Sequence, residues 1–105
     1  MNICAITGRL VRNAVSKGTD RKVLLFTVAT PLGSVENGQK ERVTHVPCVV
    51  FNPSEDLVRA LVQNGQGTYL ELEGRVLTSS YESNDEKKYS TEVVAFNRSI
   101  TLLKN

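Results

Sequence analysis

The stretch spanning residues 68–96 constrains this chain more than any other. Leu70, Leu72, Gly74 and Val76 alternate there with Tyr69, Glu71, Glu73, Arg75, Leu77, Ser79 and Tyr81. A period of two is the mark of a strand with one face against a core and the other in water. Residues 82–87 then form a polar, charged run that no core could absorb, and Tyr89-Ser90-Thr91-Glu92-Val93-Val94-Ala95-Phe96 supplies a second arm. The pattern predicts one long β-hairpin whose tip, residues 82–87, projects into solvent and is mobile. An aromatic at its base and lysines at its tip are groups that a binding protein can use.

The remaining chain divides into short segments of the same kind. Residues 2–10 alternate Cys4, Ile6, Gly8 and Leu10 against Ile3, Ala5, Thr7 and Arg9, a first strand in which Gly8 marks a bend or bulge. Residues 12–20 lose the alternation and end in Lys17-Gly18-Thr19-Asp20, which is turn chemistry. Residues 22–30 form a second strand with Leu24, Phe26 and Val28 inward. Pro31 stops it, and the polar segment to Arg42, with Asn37-Gly38 inside it, reads as a long hairpin loop. Residues 43–51 form a third strand, with Val46, Cys48 and Val50 on one face and His45, Pro47, Val49 and Phe51 on the other. Pro47 cannot donate to a ladder, which places an edge or a bulge at that point.

Asn52-Pro53-Ser54-Glu55-Asp56 has the composition of a helix start: a capping side chain, an early proline and carboxylates near the positive end of the helix dipole. Leu57, Val58 and Leu61 make its apolar stripe and Asn64-Gly65 its end. The hairpin gives strands four and five, and residues 99–103 extend or rejoin the sheet. Five strands with one short helix after the third is the element order of an OB-fold, an all-β Greek-key barrel whose outer face and loops bind oligonucleotides or oligosaccharides. A chain of 105 residues makes one such domain, spanning residues 1–105.

Charge narrows the function only a little. Thirteen basic and 11 acidic side chains leave a net charge of +2 and a pI near 8.7, which suits a polyanion partner without requiring one. The N-terminus lacks a basic region followed by an apolar stretch, and no segment is apolar enough over sufficient length to span a bilayer. The expectation is a cytoplasmic protein, or one of an organelle matrix if a presequence has been removed, with no membrane partner. Cys4 and Cys48 lack the spacing of a zinc or redox motif and read as reduced core residues. His45 and Cys48, three apart on one strand, point to opposite faces and make no nucleophile–base pair. Glu71, Glu73 and Arg75 read as a surface charge ladder. No catalytic group, metal site or cofactor is expected.

Five motifs follow one another along the chain: Gly8-Arg9-Leu10, Phe26-Thr27-Val28-Ala29-Thr30, Pro47-Cys48-Val49-Val50-Phe51, Leu72-Glu73-Gly74-Arg75-Val76 and Tyr89-Ser90-Thr91-Glu92-Val93-Val94. In that order and spacing the chain resembles the bacterial-type single-stranded DNA-binding proteins over almost its whole length. The resemblance implies sequence-nonspecific binding of single-stranded DNA in replication, recombination or repair, with association with the nucleoid when bound. Aromatic rings on an outward sheet face would stack on bases, each contact worth roughly 1–3 kcal/mol, and basic side chains would add a salt-sensitive phosphate term. Carried over by position, Phe51 and Tyr81 match stacking aromatics. His45 falls where relatives usually have a tryptophan. Arg9, Lys22, Arg42, Arg75, Lys87 and Lys88 are the candidate phosphate contacts.

The departures from the family pattern are equally specific. No aromatic stands near Leu32 or Gly33, the chain has no tryptophan, and Pro47, Gln63, Leu77 and Ser79 occupy positions where relatives carry positive charge. Asn13-Ala14-Val15 replaces an acidic-proline turn. The acidic tip that relatives use to recruit replication and repair enzymes is not in the 105 residues, and the expectation follows that such recruitment is excluded if they are the complete product. Val23, Leu25, Val49 and Leu77 have outward parity, and Tyr69 and Tyr89 suit subunit contacts. Both points favour a homo-oligomer, dimer or tetramer. The same fold also fits a tail-less primosome-type accessory protein whose main partners are other replication proteins, or a protein-interaction barrel that has lost DNA binding.

Overall fold

A computed structural model describes residues 1–33 and 42–103. Its strands are β1 (Cys4–Leu10), β2 (Val15–Lys17), β3 (Val23–Pro31), β4 (Val43–Phe51), β5 (Tyr69–Ser83), β6 (Glu86–Ala95) and β7 (Thr101–Leu103), with one α-helix, α1 (Glu55–Asn64), between β4 and β5 and a single 3-10 turn (Asn97–Ser99) before β7. All seven strands belong to one sheet, six of them in the order β1-β3-β4-β6-β5-β7 and β2 joined to the side of β3. β1 also pairs with β5, from Cys4↔Gly74 to Arg9↔Tyr69, and this second pairing closes the sheet into a barrel. The five long strands and the helix after the third make the expected OB-fold; β2 and β7 are short additions to it.

The closure turns on Gly8. β1 pairs with β5 along most of its length and reaches β3 only at Arg9↔Ala29 and Leu10↔Val28. A side chain at Gly8 would run into the carbonyl oxygen of Ala29 and the Val28 side chain, so the strand can change partners there only because it carries none. The bend expected at this glycine is therefore a close approach between two neighbouring strands.

Inside the barrel the alternating residues meet as their parity requires. Leu10, Leu24, Phe26, Val28, Cys48, Val50, Leu70, Leu72 and Val93 are buried in one cluster, and Leu61 of α1 plugs it with no exposed surface. Helix α1 begins where expected: Ser54 Oγ accepts from the Leu57 N–H at 3.2 Å, satisfying one orphan donor, and Glu55 and Asp56 fill the first turn. Its end differs from the usual left-handed glycine cap. Gly65 keeps a helical φ of −76°, and the space for a side chain is already taken by the Leu61 carbonyl and Leu10.

Three expectations change. Residues 12–20 are not all turn, since Val15–Lys17 pairs with Val23–Leu25 of β3. Val49 has outward parity but is only 3% exposed, because Leu25 and Val94 flank it on both neighbouring strands. The hairpin tip is not a six-residue loop. Its ladder runs to Ser83↔Glu86, and Asn84 and Asp85 turn the chain with φ of 53° and 64°, the paired positive values of a tight two-residue turn. Pro47 lies at the last position of β4 before β6 joins at Cys48↔Val93, the edge position its missing N–H demands. The Asn37-Gly38 turn falls outside the described residues.

Candidate nucleic-acid interface

The register assembles one continuous outer face from four strands. Along β4 it presents His45, Pro47, Val49 and Phe51. β3 lies beside it with Ala29, Thr27, Leu25 and Val23 in matching order. β6 adds Val94 next to Val49, and β5 adds Arg75 opposite Val94 and Leu77 opposite Glu92. Beyond the barrel the same face continues up the hairpin arm to Tyr81, which pairs with Lys88.

Both stacking candidates stand open on this face. Phe51 is 52% exposed and Tyr81 51%, at opposite ends of the path. Phe51 is held firmly at its backbone: Asn97 Nδ2 donates to the carbonyls of Phe51 at 2.8 Å and Asn52 at 3.0 Å, and the Asn52 N–H donates to Lys22 O at 3.0 Å. His45 is exposed beside Ala29, in the row that also holds Arg9 on β1. Arg75 is exposed at the root of the arm.

Other candidates are dispersed. Arg9 also reaches the opposite neighbour, with its guanidinium 5.2 Å from the centre of the Tyr69 ring. Lys22 turns toward α1 and lines a groove with Val58 and Arg59. Arg42 is exposed at the foot of the loop after β3, where its carbonyl accepts from the Leu32 N–H. Lys87 lies on the reverse side of the arm, 5.8 Å from the centre of the Tyr89 ring. Tyr89, at 65%, is more exposed than Phe51 or Tyr81. The arm thus carries an aromatic and a lysine on each side.

Two cations that sequence reading missed border the same face. Arg12 and Lys17, with Asn13, form one wall of a groove of about 440 Å³ whose floor includes Leu25, Thr27 and Pro47 and whose far wall carries Glu92. No sequence signal marks them, because their position depends on the pairing of β2 with β3. Among the described residues the only ion pair joins Arg59 to Asp56, an exposed contact at 3.3 Å. The cations of the outer face therefore have no described carboxylate within salt-bridge distance. Among the described residues no cluster of His, Cys, Asp and Glu could hold a metal, and no helix is long and apolar enough to cross a membrane.

The chain is 33% identical over 99 residues to single-stranded DNA-binding protein 3 of Listeria innocua, covering 90% of this chain and 60% of that protein. It is 32% identical over 100 residues to single-stranded DNA-binding protein 2 of Listeria monocytogenes, with the same coverage. It therefore spans about 60% of the length of these curated relatives. A solved structure described as a Plasmodium falciparum SSB complex with ssDNA superimposes with a TM-score of 0.81 at 21% identity, covering 99% of this chain and 96% of that one; the two share the fold. The model of the single-strand binding protein family matches residues 1–101. With that match spanning nearly all of its length, the chain belongs to the single-strand binding protein family.

Proposed function

We propose that this chain is a single OB-fold domain that binds single-stranded DNA without strong sequence preference. It does so by stacking bases on Phe51 and Tyr81 and by drawing phosphates to the cations around them. The observation that carries the proposal is the outer face itself, where two half-exposed aromatics stand at the ends of a path lined by cations without described carboxylate partners. Unstacked bases offer flat apolar faces that a duplex hides, and aromatic rings held on a rigid sheet accept them whatever their sequence. His45, Arg9, Arg75 and Lys88 flank this path, whereas Lys22 turns toward α1, Arg42 stands at the foot of the loop after β3 and Lys87 lies on the reverse side of the arm. Family membership supports the same reading and a non-catalytic role in replication, recombination or repair, in the cytoplasm and as a homo-oligomer.

A titration of fluorescently labelled single strands followed by anisotropy tests it. Binding is expected to be steep in salt, since each released counterion enters the equilibrium. Phe51→Ala and Tyr81→Ala should each weaken it by about tenfold, the loss of one stacking contact. Absence of measurable binding at low salt would overturn the reading.

A further inference from the structure

The groove beside β2 is more than an extension of a basic surface. Its floor is apolar at Leu25 and Pro47, one wall holds Arg12, Asn13 and Lys17, and the opposite wall holds the half-buried Glu92. A carboxylate is out of place on a surface that only attracts phosphates. It has no described cation within salt-bridge distance, and its position next to Pro47 is fixed by the Cys48↔Val93 pairing. Asn13 is oriented as well: its Oδ1 accepts from the Gln66 N–H at 2.8 Å, which leaves the amide nitrogen as a donor.

We infer that this groove is a nucleotide subsite that reads the edge of one base, with Glu92 accepting from an exocyclic amine while Arg12 and Lys17 hold the adjoining phosphates. The inference rests on the single-strand reading above. A volume of about 440 Å³ lies within the range of small-molecule sites, and the apolar Pro47 side chain offers a surface for a base to rest against. The chemistry of the walls selects the base. Cytosine presents an N4 amine, which suits a carboxylate, beside an acceptor that suits the Asn13 amide. Thymine presents O4 where cytosine has the amine, and an ionised carboxylate has no proton to give it. Glu92 thus penalises thymine relative to cytosine at this one position of the bound strand.

Glu92→Gln is nearly isosteric and can donate to O4, so it tests the inference without disturbing the wall. Dissociation constants are measured for labelled oligo(dC) and oligo(dT) of equal, short length. The expected result is a rise of about tenfold in the ratio of the oligo(dC) to the oligo(dT) constant, the size of one good base-edge contact. Phe51→Ala should weaken both strands alike and leave the ratio where it was. In the Arg12→Ala/Lys17→Ala double variant the slope of log K against log salt should become shallower by about 1.4, two phosphates at roughly 0.7 each. A ratio unmoved by Glu92→Gln, or an unmoved slope, would overturn the subsite while leaving single-strand binding intact. Failure of the unaltered protein to bind either strand would instead overturn the functional reading beneath it.

Discussion

At the scale of single residues, burial changes the chemistry of Cys48. Its thiol is 2% exposed, and its pKa is raised from 9.0 to about 12, chiefly because the barrel interior cannot solvate a thiolate and secondarily because Cys4 and Glu92 are close by. The folded protein therefore holds this proton more tightly than the unfolded chain does. The resulting stability is complete below pH 9 and falls as pH rises from 9 toward 12, by at most about 1.4 kcal/mol per pH unit. Urea unfolding midpoints across that window should fall faster for the unaltered protein than for Cys48→Ala; equal slopes would contradict the burial argument. The parity of β4 was enough to assign Cys48 to the core from sequence. The same rule failed for Val49, because parity assigns a face but not how neighbouring strands crowd it. Leu25 and Val94 bury Val49 from the outside, and neither contact has a local signature.

At the scale of elements, the hairpin was legible in outline and misread at its tip. The alternation of Leu70, Leu72 and Gly74 identified the arm that enters the core, whereas beyond Val76 both faces are wet and hydrophobic pattern no longer distinguishes strand from loop. What continues the ladder is turn chemistry at Asn84-Asp85 and pairs such as Thr78 and Thr91, whose hydroxyls hydrogen-bond at 2.9 Å. β2 was illegible for a related reason: three exposed residues carry no period, and their strand geometry comes from β3. Arg12 and Lys17 were lost with it. Since the arm beyond Leu77 contributes no buried hydrophobic side chain, it can be shortened without touching the core. Register decides how. Ser79↔Ser90 has the same parity as Ser83↔Glu86, which brackets the native turn. Replacing residues 80–89 by Asn-Gly should therefore leave the melting temperature within a few degrees while weakening single-strand binding by about tenfold or more through loss of Tyr81 and Lys88. Binding that survives the deletion would confine the interface to the barrel.

At the scale of the whole molecule, the barrel leaves one side unfinished. β1 pairs with β5 from Cys4 to Arg9 but meets β3 only at its last two residues, so the other edge of its first half has no described partner. An unpaired edge offers N–H and C=O groups to any strand that can lie beside it. Here it is flanked by Ile3, 62% exposed, and by the exposed Ala5. Nor does β5 leave room for β1 to extend further. The Asn2 side chain occupies the next position on that ladder, donating to Val76 O at 2.8 Å and accepting from the Val76 N–H at 3.0 Å. A second copy of β1 would satisfy the open edge with the same groups on both sides, as a two-fold interface requires. Light scattering at micromolar concentration should accordingly give a mass at least twice 11.6 kDa. Ile3→Lys combined with Ala5→Lys would set like charges against each other across that axis, while Ala5→Lys also faces Glu73 within its own chain and so favours the fold. The double variant should keep its circular dichroism spectrum and melt cooperatively but dissociate toward monomer, more completely at low salt than at high. An assembly that withstands the two lysines would mean that copies meet elsewhere, with the β1 edge left open to solvent.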